Sequence, residues 1–364
     1  MENQELLYSK EILKTQRFSC PNCGGPSVFS PTKQKLKCKY CESLFDLPNN
    51  TVASEQNIND LLTSNQNWNE AQVIQCKNCS GKQVVNNNAI SATCSFCGSI
   101  NIVKTEELTG ISPQAIVPFK VEKDAAVELS KRWASAKFFA PNSFKKNLTP
   151  ESISGIYYPV FTFDADTTSQ YFGELYENYT TTHRDPSGRI VTETHTRYFN
   201  ISGTHNQRFD DVIVQASNDI SQKNISMLQP FPTNKAVQYN PNYLNGYSAF
   251  TYSKSGKDCW QEGNGIIKAK IKFAILRKYT YTGIVSYNQQ STFKDISYKF
   301  VLLPIYVGHF TYKKELYNFY INGYSGKVTG KTPISGWKVA LIIILAVLLF
   351  VVGPIIIHLI NISL

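Results

Sequence analysis

Doubled CxxC pairs, segments that alternate aromatic and polar residues, and an apolar stretch near the C-terminus predict an α+β chain. Its expected parts are two N-terminal four-cysteine zinc ribbons, an antiparallel α+β domain and one C-terminal transmembrane helix. On this reading the 364 residues divide into zinc ribbon one (1–47), a polar linker (48–70), zinc ribbon two (71–110), the α+β domain (111–332), a basic juxtamembrane linker (333–338), the transmembrane helix (339–360) and a tail (361–364).

Cys20-Pro-Asn-Cys23 goes with Cys38-Lys-Tyr-Cys41, and Cys76-Lys-Asn-Cys79 with Cys94-Ser-Phe-Cys97; fourteen residues separate the inner cysteines in both sets. Paired knuckles of this kind bring four thiolates to the corners of a tetrahedron, the geometry that Zn²⁺ takes. A module of about thirty residues buries too little apolar surface to offset its chain entropy, so metal-binding energy becomes its folding energy. Two structural Zn²⁺ ions are expected, and four sulfurs around each leave no position for a catalytic water. Serine at Cys38 or Cys94 should then unfold its own ribbon and leave the large domain intact. Disulfides are the competing use of these cysteines. They would leave Cys259 over, which beside Trp260 reads as a buried small hydrophobe.

Between the ribbons, Pro48 to Gln75 is rich in Asn and Gln, with Ile58, Leu61, Leu62 and Trp68 as its apolar markers, and one short helix is expected there. Val121 to Ala136 carries Ala126, Leu129 and Trp133 at helical spacing. From Gly155 the period changes to two. Ile156 to Phe163 and Ser169 to Tyr179 read as strand, and the turn Arg184-Asp-Pro-Ser-Gly-Arg189 returns the chain through Arg189 to Ile201 in a long antiparallel hairpin. Ile266 to Lys278 reads as a basic amphipathic helix, and Ser297 to Phe310 and Tyr312 to Val328 return to strand. Tyr158-Pro159-Val160-Phe161 is echoed by Leu303-Pro304-Ile305-Tyr306, which suggests an internal duplication.

Val339 to Ile360 is apolar except for Gly353, Pro354 and His358, long enough as a helix to cross a bilayer. Lys327, Lys331 and Lys338 precede it and no side-chain charge follows, so the positive flank places the bulk of the chain, N-terminus included, in the cytoplasm of a single-pass cell-membrane protein. Met1 to Ser19 is too charged for a signal peptide.

The formal charge is +10. Residues 1–104 hold ten basic and eight acidic side chains, and each Zn(Cys)₄ centre adds about −2, so the loaded ribbons are not basic. The surplus lies in residues 105–338, with twenty-seven basic and nineteen acidic side chains, which suits an anionic bilayer surface. Lys33, Lys35, Lys37 and Lys39 alternate into the second knuckle; on a strand they would share one face and meet phosphate, or protect a hairpin edge against pairing.

No HExxH, GxSxG, GxGxxG or Walker motif occurs, so the chain is read as a non-enzyme. Asp164-Ala-Asp166 is able to ligate a divalent ion but reads as a solvated turn. His183, His195 and His205 fall near the hairpin and read as packing or hydrogen-bonding residues, with a pairing of His183 and His195 across it as the alternative, and Asp210-Asp211 reads as an acidic pair at a helix N-terminus.

The knuckles Cys20 to Cys97, Ile116-Val-Pro-Phe-Lys120, Gly155-Ile-Tyr-Tyr-Pro-Val-Phe161, Gly203-Thr-His-Asn-Gln-Arg-Phe-Asp-Asp211, Leu302-Leu-Pro-Ile-Tyr306 and Asn322-Gly-Tyr-Ser-Gly-Lys327 together resemble a family. It is the bacterial TFIIB-type zinc-ribbon membrane proteins of low-GC Gram-positive bacteria, some labelled primosomal-helicase-like. The resemblance implies a membrane-anchored adaptor that recruits soluble partners of phage-shock or flotillin-like type to the inner leaflet in an envelope-stress complex. A membrane-tethered nucleic-acid binder is the alternative.

Overall fold

The computed structural model describes residues 20–47, 51–63, 72–76, 82–85, 102–104, 112–146 and 148–348, with Phe350 and Pro354 beyond them. Strand dominates. Three strands run far beyond ordinary length: β9 (Ile153–Arg184), β10 (Ile190–Gln215) and β13 (Gly283–Tyr312). Their lower parts, such as Ile156 to Phe163 and Phe300 to Val307, are apolar on both faces, because both faces are covered. Their outer parts, rich in Thr, Ser, Asn and Gln, form a three-stranded arm in the order β10-β9-β13.

The expected hairpin is present, with Ile190 opposite Arg184 and Gln215 opposite Val160, and is longer than the period-two signal suggested. The sheet is mixed, not purely antiparallel. Strand β8 (Ala115–Ile116) runs parallel to β13, and β12 (Ser248–Phe250) parallel to β9. On the far side of β12 lie β6 (Lys82–Val85), β5 (Gln72–Cys76) and β7 (Ile102–Lys104).

The proline echo acquires a structural counterpart. Strand β12 meets β9 at Ile156 and Tyr157, three and two residues before Pro159, and β8 meets β13 at Val301 and Leu302, three and two residues before Pro304. The carbonyl of Pro159 accepts from Ala216 N at 3.1 Å, and that of Pro304 from Gly323 N at 2.8 Å. Each half therefore reads as short strand, helix, long strand and antiparallel return. The first comprises β8, α2 (Lys123–Ser135), β9 and β10; the second comprises β12, α5 (Gly256–Leu276), β13 and β14 (Glu315–Asn322). The short strand of each half pairs with the long strand of the other.

Alternation along β9 sorts the core. Ile156, Tyr158 and Val160 join Val301, Leu303 and Ile305 under α4 (Gln222–Leu228), which contributes Ile225 and Leu228. On the opposite face Tyr157 meets Leu302, Tyr306, Phe119 and Phe144 under α2 and α3 (Asn142–Lys146). Further along that face Phe161, Phe163 and Phe300 pack on Cys259 of α5 and on Ile58 and Leu61 of α1 (Ile58–Thr63). The short helix of the 48–70 segment is thus part of the sheet's cover. Cys259 is fully buried, and burial pushes its thiol up to about 12. Isoleucines 267, 271 and 275 of α5 cover the arm, so the apolar face of this basic helix is occupied.

Gly308 of β13 lies opposite Phe319 of β14, and a Cβ at that position would overlap the Phe319 ring. Phe319 is itself fully buried against Trp133 and Phe144 and has no room to retreat. Gly308→Ala is expected to lose about 1–3 kcal/mol of stability, measured as a lower denaturation midpoint at unchanged slope.

Two sequence expectations are corrected here. Asp210-Asp211 does not open a helix: the pair forms a bulge in β10 between Phe209 and Val212, with Asp211 at φ 50°. Asp164 sits mid-strand, only 4% exposed, and not in a solvated turn.

The C-terminal expectation is also overturned. Among the described residues no helix is long and apolar enough to cross a membrane. Helix α6 covers Gly336–Val347, twelve residues or about 18 Å, against roughly 30 Å of hydrocarbon. Of the proposed span and tail, residues 349, 351–353 and 355–364 lie outside the described residues. The fold class therefore loses its transmembrane helix, and the membrane localisation, single-pass topology, tail anchor and cytoplasmic placement argued from it lose their basis. Lys338, read as a positive membrane flank, is 9% exposed and donates to Phe138 O, Ala140 O and Asn142 Oδ1 at 3.2, 2.8 and 3.1 Å.

Candidate metal centre

Ribbon one is a three-stranded sheet of β1 (Ser27–Ser30), β2 (Lys35–Cys38) and β3 (Leu44–Phe45). The first knuckle precedes β1 and the second follows β2, and antiparallel pairing brings them to one end, Ser27 lying opposite Cys38. Gly24 takes a left-handed φ of 71°, and a Cβ on Gly25 would strike the Tyr40 ring, so both glycines are required by the turn.

The Sγ atoms of Cys20, Cys23, Cys38 and Cys41 all lie within 4.8 Å of one another. Cys20 to Cys41 is 3.4 Å and Cys23 to Cys38 is 3.5 Å. Sulfurs about 2.3 Å from a shared tetrahedral ion stand roughly 3.8 Å apart, so small movements would seat one. Tyr40 N donates to Cys38 Sγ at 3.4 Å. The Ser43 side chain and backbone, ahead of its other neighbours, hold the Cys41 thiol down at about 6, so this sulfur is poised to bind as thiolate. The four cysteines together form a site that can hold a metal ion. Of the second set, Cys76 ends β5, while Cys79, Cys94 and Cys97 lie outside the described residues.

The ribbon is not a free knob. Phe29 and Leu36 are 3% and 0% exposed and belong to the same cluster as Phe119, Tyr157 and Tyr306. Phe29 meets Tyr243 edge-on at 5.1 Å, and its N–H donates to Asn245 O at 3.0 Å. Glu122 accepts from Thr32 N at 3.1 Å and from Thr32 Oγ1 at 2.9 Å, while Gln34 Nε2 donates to Phe119 O at 2.7 Å. The opposite side stays open: Tyr40 is 76% and Leu44 45% exposed.

The four lysines do not share one strand face. Only Lys35 and Lys37 lie on β2, where they pair with Asp46 and Glu42 at 2.9 and 3.1 Å; Lys33 and Lys39 fall in the turns at either end. The hairpin histidines do not meet either, for His183 stands opposite Val191 and His195 opposite Tyr179.

The sequence pointed to Asp164 as a carboxylate able to ligate a divalent ion, but not to the cluster it joins. Glu55, Asp164 and Asp210 bring carboxylate oxygens within 4.8 Å of one another, beside Asp211 and the buried Lys299. Lys299 Nζ reaches Glu55 Oε1 at 3.1 Å and Asp211 Oδ1 at 3.0 Å. These residues are far apart in the chain, and the pairing of β9 with β10 and β13, together with that of residues 56–57 with β13, assembles them.

No family model matches the chain, and no solved structure matches it. It is similar to "Uncharacterized protein YdjG" of Bacillus subtilis (strain 168), 27% identical over 328 residues, which cover 89% of this chain and 92% of that protein.

Proposed function

We propose that the chain is a non-enzymatic zinc-ribbon adaptor that binds partner proteins through the open side of ribbon one. The carrying observation is the convergence of Cys20, Cys23, Cys38 and Cys41 beside the exposed Tyr40 and Leu44, on a ribbon whose other side is anchored in the domain core. Zn²⁺ suits four thiolates, and once they fill its shell it acts as a staple without Lewis-acid chemistry. A second structural Zn²⁺ belongs to Cys76, Cys79, Cys94 and Cys97 on the same spacing argument. An aromatic ring held on a rigid knuckle contributes contact area at low entropy cost, as interface anchors do. The TFIIB-type zinc-ribbon resemblance suggests envelope-stress proteins of phage-shock or flotillin-like type as the partners to try first.

Nuclease-treated extracts should yield a co-purifying protein that Tyr40→Ala loses while its zinc content is unchanged. Equal recovery by Tyr40→Ala would remove this surface from consideration.

Nucleic-acid binding is the second reading, and α5 is what favours it. From Gly263 to Lys294 the chain has six basic residues and no acidic one. Lys268, Lys270, Lys272, Arg277 and Lys278 are exposed around Phe273, itself 65% exposed. Binding of a labelled oligonucleotide that weakens steeply with salt and is lost with Lys268→Glu and Lys272→Glu would establish it.

A further inference from the structure

We infer that Glu55, Asp164 and Asp210, with the hydroxyl of Thr162, form a Ca²⁺ site on the face of the sheet away from α5. Strand register assembles it. Thr162 and Asp164 are two apart on β9 and so point to one face; Lys299 stands directly across from Thr162, and Ser297 across from Asp164. On the other flank the β10 bulge places Asp210 and Asp211 beside Asp164, whose Oδ1 accepts from Asp211 N at 2.7 Å. Glu55 arrives from the segment entering β4 (Gln56–Asn57), its Oε2 accepting from Ser297 Oγ at 2.5 Å.

Charge on this face is unbalanced. Lys299 is committed to Glu55 and Asp211, which leaves Asp164 and Asp210 with no cation among the described residues. The independent sign of a missing ligand is Thr162. It is 0% exposed, its Oγ1 has no hydrogen-bond partner, and it stands on the same face as Asp164, two residues along β9 and directly across from Lys299. A buried hydroxyl left unpaired costs about 1–3 kcal/mol, and a cation accepting its lone pair would remove that cost.

The donor set is all oxygen, which selects a hard cation over zinc. The carboxylate oxygens lie within 4.8 Å of one another, close enough for one cation to bridge them. Ca²⁺ accepts an irregular oxygen shell, whereas Mg²⁺ demands a near-regular octahedron, which side chains on strands fixed by backbone pairing resist. Glu55 and Asp210 are exposed, so water can complete the shell.

Calorimetric titration of CaCl₂ into the zinc-loaded full chain, in chelator-free buffer, tests the site. One saturable event is expected, with Kd on the order of 10⁻⁴ M, together with a melting temperature that rises with Ca²⁺. Asp164→Asn and Asp210→Asn should each weaken binding about tenfold or more. Asp166→Asn, whose carboxylate pairs with Arg208 at 3.4 Å outside the cluster, should not. Asp210 is exposed, so its variant reports on the site even if Asp164→Asn folds poorly. The assignment is overturned if Ca²⁺ gives neither heat nor a melting shift at 10-fold the expected Kd, if Asp166→Asn weakens binding as much as the others, or if Mg²⁺ binds as tightly.

Discussion

Replacing Cys38 with serine is expected to destabilise the large domain as well as ribbon one, by about 3–6 kcal/mol. A structural zinc ion on these four cysteines would carry on the order of 10 kcal/mol of binding energy, and its loss would unfold the sheet that holds Phe29 and Leu36 in place. Both side chains are almost fully buried among Phe119, Tyr157, Tyr243 and Tyr306, and withdrawing a large apolar side chain from a core costs about 1.5–3 kcal/mol each. A domain stable by roughly 5–15 kcal/mol would feel that loss throughout. Chemical denaturation should show one transition moved to lower denaturant, and limited proteolysis should open sites within residues 112–348. The spacing of the knuckles alone suggests a ribbon that unfolds by itself. The docked core of Phe29 and Leu36 revises that, and an unmoved transition would restore it.

Lys299→Met should cost about 3–5 kcal/mol near neutral pH. Lys299 is 4% exposed and neutralises Glu55 and Asp211, and removing one partner of a buried ion pair leaves the other charges uncompensated. The loss depends on pH. Burial alone would raise Glu55, but hydrogen bonds with Ser297, Asp164 and Lys299 outweigh it and hold its carboxyl below the usual value. Its stabilising contribution is therefore present above about pH 4.5 and fades as pH falls, so the variant should approach the natural protein in acid. Asp164 has the opposite sign. Burial, with Glu55 and Asp211 nearby, raises it to about 7, so the folded state holds its proton longer than the unfolded chain and stability from this group is lost as pH rises from about 4 to 7. Asp164→Asn should flatten that decline. Melting curves between pH 4 and 8 separate the two variants, and parallel profiles would contradict both assignments.

Where local chemistry decides structure, the sequence was informative. CxxC spacing located the first knuckles, Asp-Pro-Ser-Gly marked the β9–β10 turn, and Ala126, Leu129 and Trp133 lay on a helix that forms as α2. The echo around Pro159 and Pro304 pointed to two halves whose strand registers correspond. What depends on long-range pairing was not legible. The 48–70 segment reads as a polar linker because Ile58 and Leu61 are few, yet they complete a core with Phe161 and Phe163. Asp210-Asp211 resembles a helix start because two acids suit a helix dipole, whereas here they form a bulge, and a bulge is set by the partner strand. Lys299, Glu55 and Asp164 carry no motif, since register alone brings them together. The C-terminal run reads as a span because hydropathy counts residues, whereas among the described residues its helix covers only Gly336–Val347.

The most direct measurement is the zinc content of the full chain, by native mass spectrometry, set beside that of its Cys38→Ser variant. Tightly held zinc in the natural protein, and one ion fewer in the variant, is the expected result. A natural chain without zinc, or a variant that keeps the full complement, would contradict the metal centre on which the ribbon, its docking and the adaptor reading depend.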